Sequence, residues 1–376
     1  MGAAACAHLA QAGMRVLGIE QFTRGHDRGS SHGGSRVVRW TYFEHPSYVP
    51  LLARARALWA EIEDLTREQL IHHCGVLYAG RPTGSVLRGV RTSALENDIE
   101  LQSLGEAELR HRFPQFALPE GFAALFEPGA GFVRPEAAVL AHLRFAEGHG
   151  ATILEGERVE SIEERQGSVC VETVAEEYEA AAVVVTTGAW VGRLLRPLGT
   201  LLRPTRQVLA WIDPGERAGA GHESRCPVWF IEDGPRGAFY GVPTTAHRSV
   251  AQEERLPRGL KVARHLPGDA VDPDVPRREP SREETADLEE AMRRLVPGAA
   301  GEIVGAATCM YTMTPDEHFI VDAAPGSSRI FVASGFSGQG FKFAPVIGEI
   351  LTGLVARGGS GHDIEFLRLA RFANRR

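Results

Sequence analysis

With 376 residues, 43% of them hydrophobic and 24% charged, the chain is long enough for two domains and a large core. A formal net charge of -7, no basic cluster with interleaved aromatics, and no apolar run near the roughly 18 residues of a spanning helix exclude nucleic acid and membrane as partners. Cys6, Cys74, Cys170, Cys226 and Cys309 are an odd number without a CxxC pair, and the histidines, His72 and His73 included, show no HExxH spacing; this points to a reducing, cytoplasmic compartment and excludes a disulfide framework and a metal site.

Residues 2–13 (GAAACAHLAQAG) read as a small-residue helix ending at Gly13, and 15–20 (RVLGIE) as a strand closing on Glu20. Together they form the helix and second strand of a dinucleotide-binding unit, with Met1-Gly2 standing where the glycine motif ends. The first strand and the first two glycines of GxGxxG do not occur, so the unit is expected to hold a dinucleotide poorly and to leave strand edges unpaired. Apolar positions at Leu51, Leu52, Ala55, Leu58 and Trp59 share one face of a helix over 48–61. Ser103 and Glu106 read as a capping box for a helix over 106–112, and Pro135 opens a helix that stops at Gly148. Short strands are expected at 152–154, 158–162, 169–173 and 181–187, the last leading into Gly188. Further strands at 207–212, 228–231 and 238–242 form a second sheet. Ser281 and Glu284 cap a helix carrying Leu288, Met292 and Leu295.

The densest stretch is CMYTMTPDEHFIVDAAPGSSRIFVASGFSGQGFKF (309–343), read as strand, turn, strand, turn. Gly335, Gly338 and Gly340 admit a close backbone approach, and a helix from Pro345 would point its positive end at the same place, where an anionic or polar cofactor edge fits.

CMYTMTPDEHFIVD followed by GFSGQGFKF resembles the C-terminal signature of the monomeric sarcosine oxidase and N-methyl-amino-acid oxidase family. GSSHGGSRVVRWTY (29–42), TTGAW (186–190), FYGVP (239–243) and GLKVARH (259–265) match it in order over nearly the whole chain. The resemblance implies an α/β (α+β) fold: a Rossmann-like FAD-binding domain lacking its first strand (1–76, 147–192 and 328–358), interleaved with a mixed-sheet substrate domain (77–146 and 193–327), then a C-terminal helix over 359–376. It implies FAD joined to Cys309 by a thioether, with Gly2 as the third motif glycine and Glu20 on the adenosine ribose. Ser30, Gly188, Gly338 and Gly340 contact the cofactor, and Arg36 tunes the flavin ring. Arg39 and Lys342 match the cations that bind the substrate carboxylate, Lys342 also bordering the flavin; Tyr311, Tyr240 and His265 match pocket residues, and Lys261 the lysine that serves oxygen. Taken alone, each cation is a solvated charge and each tyrosine a buried aromatic.

The function expected is oxidation of a small secondary amino acid, sarcosine first, to an imine, with oxygen reduced to hydrogen peroxide by a monomeric enzyme. A flavin amine dehydrogenase, an oxidase of cyclic amino acids such as pipecolate, and a non-catalytic homologue are the alternatives. Relative to shorter family members, the loop 244–258 is about ten residues longer, a length at which loops become functional. It covers the substrate or decorates the surface, decoration being the first expectation.

Overall fold

The computed structural model describes residues 1–265, 268–275 and 279–373. An eight-stranded mixed sheet organises the molecule, in the order Glu302–Met313, Arg203–Asp213, Leu260–His265, Ala238–Val242, Val228–Glu232, Val76–Gly80, Ala123–Glu127 and Gln102–Leu104. Only the pairing of Val228–Glu232 with Val76–Gly80 is parallel. Strand side chains alternate between faces, and here the alternation divides labour. Leu77, Ala210, Ile212, Trp229, Phe239, Leu260 and Val262 bury one face beneath Leu288, Met292 and Leu295 of helix Arg282–Leu295. That helix starts as expected: Ser281 accepts the Glu284 amide, and the Glu284 carboxylate accepts the Ser281 amide. The opposite face carries the site.

A second layer holds the elements of the dinucleotide-type unit. Helix Gly2–Gln11 packs against helices Pro135–Gly148 and Ala344–Arg357, with Ala4, Ala5, Ala137, Ala141, Ile347 and Leu351 in one core. Strand Leu17–Glu20 pairs in parallel with Thr152–Glu155, and Val183–Val185 with Ile330–Ser334. The domain boundary expected at residue 147 falls inside helix Pro135–Gly148, which packs on helix Gly2–Gln11 and therefore belongs to this layer.

Three expectations need correction. Helix Glu106–Arg112 is present, but Gly105 is its N-cap and no side chain caps it, so Ser103 lies in strand Gln102–Leu104 instead. A strand at Glu177–Ala180 was not expected; EYEA lacks β-branched residues, and pairing with Ser168–Thr173 forms it. In place of a helix over 359–376 there are two short 3-10 turns, Glu365–Leu367 and Leu369–Phe372; residues 374–376 lie outside the described residues. Among the described residues, no helix is long and apolar enough to cross a membrane.

The loop 244–258 is tied to the interior at two points. Its short helix Ala251–Glu254 presents Glu253, 3% exposed, to Arg134, 1% exposed. Arg134 also bonds the Ser249 hydroxyl and the Gln69 carbonyl. Farther along, Leu256 joins the apolar cluster of Leu209, Trp211, Ala263 and Cys309. A bidentate buried pair of this kind leaves an uncompensated charge if either partner is removed, which anchors the loop at Glu253.

Candidate active site

One face of the large sheet gathers most of the expected residues. Cys309 and Tyr311 alternate along Glu302–Met313, Lys261 and His265 along Leu260–His265, and Tyr240 sits opposite Ala263 on the neighbouring strand. The register places Gln207 against Cys309, Thr205 against Tyr311 and Trp211 against Lys261. A period of two thus delivers a thiol, two phenols, an imidazole and an amine to one surface.

The segment before and within strand Arg36–Val38 lies over this surface. Arg36 donates to the Ser35 carbonyl at 2.8 Å, the Ser30 carbonyl at 2.7 Å and Cys309 Sγ at 3.5 Å. Ser30 Oγ donates to the Met310 carbonyl at 2.7 Å, tying the loop to the cysteine strand. Lys261, 3% exposed, donates to the carbonyls of Gly33, at 3.2 Å, and Ser35. Burial pushes its pKa well down, the Arg36 charge adds to this, and Glu136 and Cys309 oppose it. The charge of this amine therefore depends on the groups around it. His32 is 4% exposed and its Nε2 is buried without a partner; burial first, then Arg36 and Lys261, lowers its pKa to about 3, so it is neutral.

A second cluster lies around Tyr42. Arg39 stands 4.7 Å over the Tyr42 ring and 4.3 Å over Phe43, donates to the Thr41 carbonyl at 2.9 Å and pairs with Glu44. Lys342 Nζ is 5.3 Å from the same Tyr42 ring and donates to the Gln339 carbonyl at 2.7 Å. Burial works against the charge of Arg39, but Glu44, Tyr78 and Tyr42 more than offset it and raise its pKa. Lys342 has less support: burial, then Arg39, lowers it to about 7 against the pull of Glu44. The backbone here is anchored by Glu127, 0% exposed, which accepts the Trp40 and Thr41 amides and the Thr41 and Tyr78 hydroxyls.

Between the two clusters, His265 lies 6.5 Å from Tyr240, 6.4 Å from Tyr311 and 5.3 Å from Phe230, ring to ring. Burial lowers its pKa to about 4, so it serves as a neutral wall and not as an acid. A cavity of about 270 Å³ adjoins it, lined by Phe43, Glu44, Phe230, His265, Ser337 and Gln339. At Gly338, φ is +79° and an added Cβ would lie 2.4 Å from the Tyr311 ring, so only glycine lets this turn pass. Gly340 precedes the turn Phe341–Phe343 that holds Lys342.

The chain has two lysines among its 41 basic residues, Lys261 and Lys342, and both are at least 96% buried on this site. Surface positions use arginine throughout. Buried amines of this kind are costly unless something negative is to be bound or formed beside them.

The remaining expected residues lie at the ends of the parallel strands. Glu20 closes Leu17–Glu20 with one oxygen on the Phe22 amide at 3.0 Å. Gly188 follows Val183–Val185, its carbonyl 3.4 Å from Ser334 Oγ, and the adjacent Thr187 Oγ1 is buried without a partner. Gly2 opens its helix beside Thr186. An unpartnered buried hydroxyl, a carboxylate at a strand end, and a glycine turn against Tyr311 are a donor set and cradle that fit FAD. Sequence reasoning missed Glu44, Glu136 and Gln339: Glu44 is five residues past Arg39 and Gln339 lies between motif glycines, whereas Glu136 carries no local signal.

The sequence profile of the family described as FAD dependent oxidoreductase matches residues 1–354. Monomeric sarcosine oxidase of Streptomyces avermitilis is 38% identical over 374 residues, covering 99% of this chain and 95% of the relative. N-methyl-L-tryptophan oxidase of Yersinia pestis is 35% identical over 375 residues, covering 99% and 96%. Among solved structures, the amino acid oxidase NikD aligns with a TM-score of 0.83 at 23% identity over 97% of this chain and 93% of its own. L-proline dehydrogenase from P. horikoshii also reaches 0.83, at 20% identity over 98% and 94%; both show the fold. The chain therefore belongs to the FAD dependent oxidoreductase family, with relatives among the monomeric sarcosine oxidases and N-methyl-L-tryptophan oxidases.

Proposed function

We propose that the protein oxidises a small secondary amino acid, sarcosine or another N-methyl amino acid, to an imine that hydrolyses, with oxygen reduced to hydrogen peroxide. The observation that carries this reading is the convergence of Arg39 and Lys342 on Tyr42, beside a cavity walled by His265, on the sheet face that also bears Cys309 and Lys261. FAD, when bound, supplies the two-electron oxidation of the amine and delivers the electrons to oxygen. Arg39 and Lys342 orient the substrate by its carboxylate, Arg39 through a planar fork and Lys342 as a point charge. Tyr240, Tyr311 and His265 close the pocket against water. The test is oxygen consumption with peroxide formation on sarcosine and larger N-methyl amino acids.

Cys309 would hold the cofactor covalently through a thioether, with Arg36 beside its sulfur. Acid-precipitated protein is then expected to stay yellow, and Cys309→Ser to release its flavin to the supernatant. Flavin found wholly in the supernatant of the unmodified protein removes the covalent link.

The low pKa of Lys342, about 7, sets a pH dependence. Its ammonium is present below that value and lost as pH rises through it, while Arg39 stays charged. A small carboxylate without an amine, such as propionate, is expected to perturb the flavin absorbance with an affinity that weakens progressively above pH 7. In Lys342→Met that slope disappears; a slope that persists belongs to another group.

A further inference from the structure

Residues 33–35 are held from two sides. Gly33 and Gly34 have φ of +89° and +77°, and both amides converge on Glu136: Gly33 N–H at 2.6 Å from Oε1, Gly34 N–H at 3.1 Å from Oε1 and 3.2 Å from Oε2. From the other side, Lys261 donates to the carbonyls of Gly33 and Ser35, and Arg36 shares the Ser35 carbonyl. The turn is thus a short bridge between a buried carboxylate and a buried amine. Glu136 is 2% exposed and lies in the first turn of the 14-residue helix Pro135–Gly148, where the helix dipole favours a negative charge. Leu256 of the 244–258 loop packs on Gly34, where an added Cβ would lie 2.9 Å from its Cδ1, and Arg134, beside the same helix start, anchors that loop through Glu253. The bridge is therefore walled on its outer side.

We propose that Glu136 is a positioning residue for the oxygen half-reaction: it holds the Gly33–Gly34 turn against Lys261 and supplies the counter-charge that keeps the Lys261 ammonium at its post. This rests on the reading of Lys261 as the group that serves oxygen. The groups that face Lys261 are Arg36 from strand Arg36–Val38, His32 from the preceding loop, Cys309 from strand Glu302–Met313 and Glu136 from its helix. Arg36 repels the ammonium and His32 is neutral, so the balancing charge falls to Glu136, whose own pKa burial raises while the Gly33 and Gly34 amides and Arg36 pull it back down. Loss of an opposite charge across a single turn of backbone is expected to move a pKa by about 1.

The two-lysine composition makes the test direct, because protein labelled with 13C-lysine gives two side-chain signals, assigned with Lys261→Met and Lys342→Met. In Glu136→Gln, the Lys261 signal is expected to titrate about 1 pH unit lower than in the parent. Anaerobic reduction by substrate stays at the parent rate, while reoxidation in air slows about 3-fold at the pH midway between the two midpoints and approaches about 10-fold above both. Glu136→Asp, which keeps the charge, restores the midpoint and the reoxidation rate. Adding Glu136→Gln to Lys261→Met slows reoxidation no further. An unmoved Lys261 midpoint, a double variant slower than Lys261→Met, or reduction and reoxidation falling together with flavin loss would overturn the proposal. If Lys261→Met itself reoxidises normally, the assignment of Lys261 to oxygen fails, whereas the lysine midpoint still decides whether Glu136 governs its charge.

Discussion

Lys261→Met is expected to accept electrons from substrate at the parent rate under anaerobic conditions, yet to reoxidise in air roughly 10²- to 10³-fold more slowly, the range for losing one preorganised electrostatic contact. The reason is geometric. Negative charge develops on oxygen only in the second half-reaction, and Lys261 is a buried amine held by two carbonyls on the sheet face that bears Cys309. Methionine keeps the volume and removes the charge, so the position opposite Trp211 stays filled. Stopped-flow absorbance separates the two steps. Unaltered reoxidation removes Lys261 from the oxygen reaction and leaves a dehydrogenase as the better description.

The second large effect concerns the substrate carboxylate. Lys342→Ala or Arg39→Ala is expected to lower kcat/KM by about 10- to 100-fold, corresponding to one charge-assisted hydrogen bond of roughly 1.5–3 kcal/mol, with flavin content nearly unchanged. Lys342→Ala is the cleaner variant, because the Lys342 amine donates to a backbone carbonyl and faces the Tyr42 and Phe343 rings. Arg39→Ala also strands Glu44, whose Oε2 already lacks a partner, so part of its loss reflects an uncompensated carboxylate. Parent-like kinetics in both variants on the best amino-acid substrate would take these cations out of the site.

Much of this was legible in the sequence where local rules decide. The Ser281–Glu284 capping box, the β-branched strand now seen at Ile330–Ser334 and the helix after Lys342 follow from neighbours in the chain. The motif residues Cys309, Tyr311, Lys261 and His265 fall on one sheet face because they occupy alternate positions of their strands. What was hidden depends on distant partners. Glu136 is 103 residues from Gly33 and reads as an ordinary first-turn acid. Glu127 reads as a strand-end charge, yet it is fully buried and anchors Trp40 and Thr41 from 87 and 86 positions away. The 244–258 loop looks like surface until Glu253 meets Arg134. Ser103 failed as a cap because strand pairing with Ala123–Glu127 claimed it first.

The central claim is tested most directly by mixing the purified flavoprotein with sarcosine and a series of N-methyl amino acids in the absence of oxygen, then admitting air, while following flavin absorbance and hydrogen peroxide. At least one of these amines is expected to bleach the flavin, and air to restore the colour with one peroxide formed per cycle. Flavin that no N-methyl amino acid bleaches, or that bleaches but stays reduced in air, contradicts it.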